Sequence, residues 1–151
     1  MSRPKKKRMV NCPPVFSSFK PAGVRRNQLV QVSLLLDEYE AIKLVDYEGM
    51  DHQEASEEMG VSRPTISRLI DKARKKIVLL LVEGKELIIE GGDVHFKENF
   101  LECLDCGHKF KINISNDVNE CPSCKSKNLL DFAGRFGHGR CCDQHKNRKG
   151  K

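Results

Sequence analysis

The segment Asp51-His-Gln-Glu-Ala-Ser-Glu-Glu-Met-Gly-Val-Ser-Arg-Pro-Thr-Ile-Ser-Arg68 decides the fold, because it holds two helix starts on either side of a tight turn. Its first Asp and Glu54, three residues later, form a capping box that satisfies free backbone N–H groups at a helix start. Gly60 can adopt the left-handed conformation that ends a helix, and Ser62 is a good cap for the next one. The segment therefore predicts a short helix, a turn and a longer helix.

The longer helix has an apolar stripe on one side and polar residues on the other. At about 100° per residue, the stripe consists of Ile66, Leu69, Ile70, Ala73, Ile77, Leu80 and Leu81. The opposite side holds Pro64, Arg68, Asp71 and Lys75. A short helix, a turn containing Gly and a longer helix with a basic outward face form the helix-turn-helix arrangement of many DNA-binding proteins. The alternative is a plain helical hairpin with a solvated polar face.

A further helix is predicted upstream, over about residues 38–47. Asp37 and Glu40 repeat the spacing of the capping box, so we expect Asp37 to cap this helix. The helix can turn four apolar residues inward, namely Ala41, Ile42, Leu44 and Val45. Acidic residues are concentrated here, since residues 31–60 contain nine Asp+Glu and one Lys. We expect this acidic block to face away from DNA.

The chain of 151 residues carries 27 Lys+Arg and 21 Asp+Glu, and its two ends are basic. Residues 1–30 contain eight Lys+Arg and no acid, which favours contact with a polyanion; the alternative is that the basic ends only keep the protein soluble. The longest apolar run, Ile77–Val82, is far shorter than the roughly 20 residues of a membrane span. Because no signal peptide is recognisable, we expect a cytoplasmic protein with no membrane partner.

These patterns divide the chain into four parts. Residues 1–33 form a basic arm in which Pro and Gly prevent a long helix, and residues 34–92 form a helix-turn-helix domain that ends at a Gly pair. Residues 95–132 hold paired cysteines, and residues 133–151 are a tail rich in Gly, Arg and Lys. The predicted fold is mainly α, with three or more helices, a small β module around the cysteines and a flexible basic tail.

Two stretches, Leu36-Asp-Glu-Tyr-Glu-Ala-Ile-Lys-Leu-Val-Asp-Tyr-Glu-Gly49 and residues 53–68, resemble a family of small prokaryotic proteins described as predicted DNA-binding proteins. The helix-turn-helix of that family is similar to the promoter-reading domain of sigma factors. The resemblance covers roughly the first 92 residues, because the family pattern also includes the segments 19–23 and 88–92. It implies sequence-specific binding to double-stranded DNA and a role in transcriptional regulation.

Position along the longer helix assigns the expected DNA contacts. Residues near the N-terminus of a recognition helix enter the major groove first, so base edges or adjacent phosphates are expected to meet Arg63, Thr65, Ser67 and Arg68. Residues further along are expected to meet phosphates, which add affinity without sequence information; these are Lys72, Arg74, Lys75 and Lys76. The arm residues Lys5, Lys6, Lys7 and Arg8 either add backbone or minor-groove contacts or form a solvated tail.

The run Ile77–Val82 is apolar on all sides, including the side of Val78, Leu79 and Val82, which points away from the stripe. A homodimer would cover this second side, and helix-turn-helix proteins commonly dimerise on paired half-sites. The alternative is that the arm or the predicted strand Glu86–Glu90 packs there.

Four of the seven cysteines have the spacing C-x2-C-x14-C-x2-C; they are Cys103, Cys106, Cys121 and Cys124. Two such turns close a tetrahedral four-thiolate site for one structural Zn²⁺ per chain, and iron is the competing metal. The segment Lys109–Ile114 between them alternates as a strand, so the module resembles a zinc ribbon. Gly107 suits the turn after the first pair, whereas Lys125 occupies the matching place after the second. With a charge balance of −2 over residues 93–132, contact with another protein is as well supported as contact with DNA.

The tail offers a second set of ligand types within eight residues, namely His138, Cys141, Cys142 and His145. Adjacent cysteines are awkward ligands for one ion, so the alternatives are a second metal or redox site and a disordered tail with exposed thiols. Nothing in the sequence assigns a role to Cys12.

The leading hypothesis is therefore a DNA-binding transcriptional regulator with a structural zinc site. One alternative is a metal- or redox-responsive DNA-binding sensor that uses the tail cluster, and another is an RNA-binding or translation-associated protein. An enzyme is not expected, because the sequence has no Ser/His/Asp grouping, no phosphate-binding Gly loop and no open-site metal signature.

Overall fold

The computed structural model describes residues 8–116 and 118–136. Its helices are α1 (Leu36–Ile42), α2 (His52–Met59), α3 (Arg63–Glu83) and α4 (Phe132–Arg135), and a π-helical turn (Lys43–Tyr47) continues α1. Its strands are β1 (Arg8–Val10), β2 (Ser18–Phe19), β3 (Gln31–Leu34), β4 (Glu86–Ile89), β5 (Val94–Phe96), β6 (Glu98–Cys103), β7 (Lys109–Asn113) and β8 (Leu129–Asp131). A 3-10 turn covers Arg26–Gln28.

The expectation of a mainly α fold is wrong, because the described residues are 38% helical and 23% strand, with four helices and three small sheets. Part of the missed strand content lies in residues predicted as an arm, where β2 and β3 pair with β4. Strands of two to four residues are too short to show a clear alternation, so the sequence carries little signal for them. The chain is a mixed α and β protein.

The described chain forms two compact units. The first contains the described residues of Met1–Val10 and Phe16–Val94, and the second those of Asn11–Val15 and His95–Lys151. The core of the first unit lies between α1, α2 and α3 and consists of Ala41, Leu44, Ala55, Met59, Ile66, Leu69 and Ile70.

The predicted caps around the turn between α2 and α3 are confirmed. The backbone N–H of Glu54 donates to Asp51 Oδ1 at 2.8 Å, and Glu54 Oε2 accepts from the Asp51 backbone N–H, which completes the capping box. Gly60 ends α2 with φ of 65°, in the left-handed region. Ser62 then caps α3 by accepting from the backbone N–H of Thr65. The turn is therefore fixed by local hydrogen bonds at both helix ends.

The predicted start of α1 is wrong. The helix begins at Leu36 with Leu35 as its N-cap, and no side chain caps it. Asp37 is instead buried and forms an ion pair with Arg8, and its Oδ1 accepts from the backbone N–H of Glu38. An ion pair between residues 29 positions apart leaves no local pattern in the sequence, so the spacing of Asp37 and Glu40 predicts a capping box that this helix does not form.

Acidic residues of α1 are buried, whereas the sequence predicted only apolar residues on its inner side. Glu38 and Glu40 are each 1% exposed. Glu38 Oε1 accepts from Lys76 Nζ of α3 at 2.7 Å, and Glu40 lies 3.5 Å from Lys43 Nζ. The acidic block therefore contributes ion pairs to the first unit.

A three-stranded sheet of order β2-β4-β3 completes the first unit. β3 runs parallel to β4, with Val32 opposite Leu87 and Leu34 opposite Ile89, whereas β2 is antiparallel to β4. After β4 the chain turns at Gly92, whose φ is 100°. A Cβ atom at this position would lie 3.4 Å from the Leu36 backbone nitrogen. The Gly pair thus permits a close approach to the start of α1.

The apolar stripe of α3 is buried only in its first half. Ile66, Leu69, Ile70 and Ala73 are buried, but Leu81, which was predicted to face inward, is 76% exposed. On α3 the core cluster ends at Ile70, and the last turns of the helix leave apolar side chains exposed.

The second unit is an antiparallel sheet of order β7-β6-β8, followed by α4. Phe100 and Phe132 pack edge to face, with ring centroids 6.4 Å apart. The buried Asn99 donates to Asp131 Oδ1 and accepts from the backbone N–H of Ala133, so both ends of its amide are bonded. This sheet holds Cys103 at the end of its central strand.

Among the described residues, no helix is both long and apolar enough to cross a membrane.

Candidate metal centre and DNA-binding face

Four cysteine side chains meet at one point of the second unit and are positioned to hold a metal ion. The sulfurs of Cys103, Cys106, Cys121 and Cys124 all lie within 4.8 Å of one another. Cys103 Sγ is 3.5 Å from Cys124 Sγ, and Cys106 Sγ is 3.6 Å from Cys121 Sγ. A disulfide needs sulfurs about 2.05 Å apart, so these are four thiols and not two disulfides.

The distances fit a tetrahedral ion. Zn–S bonds of about 2.3 Å in a tetrahedron require sulfurs roughly 3.8 Å apart, close to the separations observed. Four sulfur ligands occupy every position of such an ion, so the site has no place for a reacting water.

Two matching turns present the sulfurs. In the first, the Cys103 backbone carbonyl accepts from Gly107 N–H at 2.8 Å, and in the second the Cys121 carbonyl accepts from Lys125 N–H at 2.8 Å. Backbone N–H groups also point at the sulfurs, since Cys106 N–H donates to Cys103 Sγ. Each turn therefore supplies two sulfurs and the hydrogen bonds that favour their ionised form.

Hydrogen bonds and crowding give these thiols different pKa values. A hydrogen bond from the Cys106 backbone N–H lowers the pKa of Cys103 to about 7. The Ser126 backbone N–H favours the Cys124 thiolate, but the neighbouring cysteine sulfurs and burial together raise the pKa of Cys124 to about 12. Four thiolates at these distances would repel one another, and a cation held among them would allow all four to lose their protons.

Lys125 adopts the left-handed conformation that its place in the second turn demands. Its φ is 62°, close to the 76° of Gly107 at the matching place in the first turn. Among the described residues it is the one with a side chain at positive φ. The departure noted in the sequence therefore carries a conformational cost of about 1 kcal/mol.

Replacing Lys125 by Gly is expected to raise the free energy of unfolding of the second unit by a few tenths to about 1 kcal/mol, because Gly adopts positive φ without strain. Thermal unfolding of the metal-loaded chain measures this change. Lys127→Gly is the matched control and should not stabilise the unit; a loss of stability in Lys125→Gly would show that its side chain matters more than its backbone.

The second surface of interest is the outer face of α3. Five exposed residues share this face, namely Pro64, Arg68, Asp71, Lys72 and Lys75, and Arg63 is exposed at the first residue of the helix. Thr65 and Ser67 are half-buried, and their hydroxyls bond to Ser62 Oγ and to His52 Nδ1 respectively. The contact with His52 of α2 was not predicted, because the sequence does not show which residues of two helices meet.

Two residues predicted to contact DNA form ion pairs within the first unit. Arg74 Nε donates to Asp46 Oδ2 at 3.1 Å and Arg74 Nη2 donates to Asp46 Oδ1 at 2.7 Å. This guanidinium holds the pKa of Asp46 below its usual value. Lys76 bonds to the buried Glu38. In the sequence, one feature could have indicated that Lys76 faces the interior: it lies beside the buried stripe, three residues after Ala73.

The remaining predicted site residues have different surroundings. Arg8 pairs with Asp37, whereas Lys5, Lys6 and Lys7 lie outside the described residues. The tail cluster of His138, Cys141, Cys142 and His145 also lies outside them. Cys12, which the sequence left unassigned, is buried in the second unit and donates to Glu98 Oε2 at 3.4 Å.

Comparison with known proteins gives relatives over most of the chain. The model of the family described as "Protein of unknown function DUF134" matches residues 1–97. A UPF0251 protein of Chloroherpeton thalassium is 46% identical over 143 residues, which cover 93% of this chain and 95% of the relative. A UPF0251 protein of Pelotomaculum thermopropionicum is 44% identical over 83% of this chain and 95% of the relative. A UPF0251 protein of Clostridium novyi is 41% identical over 86% of this chain and 88% of the relative. No solved structure matches this chain.

Proposed function

Because this chain belongs to the DUF134 family and its helix α3 carries an exposed basic face, we propose that it is a sequence-specific duplex-DNA-binding protein that regulates transcription. In this proposal α2, the turn at Gly60 and α3 form a helix-turn-helix, and α3 is the recognition helix.

The observation that carries the proposal is the separation of two faces on α3. The inner face is buried against α1 and α2, whereas Arg68, Lys72 and Lys75 are exposed together on the outer face, and Arg63 is exposed at the first residue of the helix. Arginine near the helix start can bond guanine O6 and N7 in the major groove, and lysines further along can meet phosphates.

Ion pairing of the acidic block supports the same proposal. Asp37 pairs with Arg8, and Glu38 pairs with Lys76, so these carboxylates are neutralised inside the unit. The negative charge of these two carboxylates is therefore offset inside the unit and is not presented to an approaching duplex. Among the predicted phosphate contacts, Lys72 and Lys75 are the ones that the proposal retains, because Arg74 and Lys76 have carboxylate partners.

For the second unit we propose a zinc ribbon that holds one structural Zn²⁺ through Cys103, Cys106, Cys121 and Cys124. The chemistry of four thiolates and the absence of an open ligand position support a stabilising role. The exposed Leu104 lies in the first of the two turns, and we propose that this unit contacts a protein partner. We also propose that the chain is a cytoplasmic binding protein and not an enzyme.

Two single substitutions test the DNA-binding proposal. Arg68→Ala is expected to weaken binding to a selected duplex by about 5- to 150-fold and binding to random DNA much less, because it removes a base contact worth about 1–3 kcal/mol. Lys75→Ala is expected to weaken both alike and to reduce the salt slope by about 1, because it removes a phosphate contact. Titration of labelled duplexes at several salt concentrations measures both effects.

Controls distinguish the alternatives. Arg74→Ala should change DNA affinity less than Lys75→Ala, since Arg74 is bonded to Asp46. Equal losses on selected and random duplexes for Arg68→Ala would contradict the base-reading role. Preference for structured RNA in direct competition would contradict the proposal as a whole.

A further inference from the structure

The last turns of α3 carry an exposed apolar patch. Val78, Leu81 and Val82 are 51%, 76% and 77% exposed, and we call them the α3 apolar patch. Two more exposed apolar residues belong to the loop between β2 and β3, which reaches the same end of α3: Val24 and Val30. That loop is fixed there by Pro21 beside Gly84 and by the hydrogen bond from the Glu86 N–H to the Val30 carbonyl. Exposed apolar groups clustered in this way mark an interaction site.

Helix geometry gives the angle around α3 between the α3 apolar patch and the basic face. At about 100° per residue, Lys72 and Lys75 lie within about 40° of Arg68 around the helix. In the same direction around the helix, Val82, Val78 and Leu81 lie about 40°, 80° and 140° from Arg68, which averages about 90°. This average direction lies about 120° from that of the buried residues of α3. A partner packed on the patch would therefore sit beside the basic face without covering it.

We propose that a second copy of this chain packs on the α3 apolar patch, with the two α3 helices antiparallel about a two-fold axis near Leu80. That axis is perpendicular both to the helices and to the line that joins them. Because the basic face is turned about 90° from the patch, both basic faces then point along the axis to the same side. One duplex can meet both of them.

The spacing of the two basic faces agrees with B-DNA. Arg68 precedes Leu80 by twelve residues, which is about 18 Å along the helix. The two-fold axis doubles this separation to about 36 Å, and dimeric helix-turn-helix proteins bind half-sites about 34–36 Å apart. This step rests on the proposed DNA binding, whereas the exposed patch itself does not.

The other candidate occupants fit the patch poorly. Residues 1–7 and 137–151, which lie outside the described structure, are dominated by Lys, Arg, Gly and other polar residues and offer almost no apolar side chain to cover it. A duplex presents phosphates and would gain little from valine and leucine. A second copy offers the same apolar surface, as a two-fold interface requires.

Measurement of the oligomeric state in the absence of DNA tests the proposed interface. Sedimentation of the full metal-loaded chain from micromolar to near-millimolar concentration is expected to show a two-chain species. Leu81→Glu and Val82→Glu should each weaken association by about tenfold or more, because the new carboxylate would be desolvated without a partner. Tyr47→Glu, at a residue 85% exposed on the turn after α1, is the matched control and should not change association. A wild-type chain that stays monomeric throughout overturns the proposal, even if it binds DNA.

Site selection from a pool of random duplexes tests the geometry separately. The wild-type chain is expected to select inverted half-sites about 10 base pairs apart, centre to centre, and Leu81→Glu to select single half-sites. Direct repeats, or single half-sites for the wild type, overturn the antiparallel arrangement. If no duplex sequence is enriched while the two-chain species is present, the proposed DNA binding fails and the interface stands.

Discussion

Cys121→Ser is expected to release the metal ion and to unfold the second unit while the first unit stays folded. Cys121 is one of two buried ligands, and its loss leaves three sulfurs around the ion. Structural zinc in small modules contributes about 10–16 kcal/mol of apparent binding free energy, most of which appears as folding free energy. The sheet β7-β6-β8 has strands of three to six residues and cannot replace that contribution by apolar burial.

Three measurements check this result. Elemental analysis gives the metal-to-chain ratio and distinguishes zinc from iron in the wild-type chain. Circular dichroism should retain the helical signal of α1, α2 and α3, and hydrogen exchange should show loss of protection confined to β6, β7 and β8. Cys12→Ser is the matched control, because Cys12 is a buried thiol of the same unit that does not belong to the cluster.

Specific outcomes would contradict the site. A Cys121→Ser chain with one tightly bound ion and a protected sheet would refute it. A wild-type ratio of two ions per chain would add support to a second metal site in the tail, and Cys141→Ser should then lower the ratio to one.

Lys76→Met is expected to destabilise the first unit by about 3 kcal/mol with little specific effect on DNA contacts. Its ammonium bonds to Glu38 Oε1 at 2.7 Å, and the Glu38 side chain is 1% exposed. The other oxygen, Glu38 Oε2, is buried and has no hydrogen-bond partner among the described residues. Removal of one partner of a buried ion pair leaves the other charge desolvated, which costs about 3–5 kcal/mol. Because Lys76 is partly exposed, the lower end applies.

Denaturant unfolding measures the loss, and two further variants show its cause. Lys75→Met, on the exposed neighbour, should change stability by less than about 0.5 kcal/mol. Glu38→Leu combined with Lys76→Met should recover most of the loss, because replacing both members of a buried pair with apolar residues is often neutral. A Lys76→Met chain with unchanged stability and a tenfold loss of DNA affinity would instead place Lys76 at the DNA surface.

Local sequence signals predicted the elements around the turn correctly. Asp51 with Glu54, Gly60 and Ser62 act on backbone groups within four residues, so their effect does not depend on the rest of the fold. The four-cysteine site was predictable for a related reason. Each pair fixes its own turn, and the ligand chemistry of thiolates favours bringing two such turns together.

Features that join distant parts of the chain were not predictable. The ion pairs of Arg8 with Asp37, Arg74 with Asp46 and Lys76 with Glu38 link residues 28 to 38 positions apart. The sequence instead predicts Asp37 as a helix cap and Arg74 and Lys76 as phosphate contacts, because nothing nearby in the chain indicates their distant partners. The sheet β2-β4-β3 was not predictable for the same reason, because β3 and β4 pair across about 50 residues of helix and turn.

The sequence by itself determined the caps of α2 and α3, the apolar stripe that begins at Ile66 and the four sulfur ligands, because each depends on neighbours along the chain or on ligand chemistry. Only the tertiary structure decided which basic residues are exposed and which are ion-paired, and where the core beneath α3 ends. Those properties depend on what packs against each side chain, and packing is set by elements that are distant in sequence. The basic face of α3 and the exposed patch beyond it therefore become distinguishable only in the folded chain.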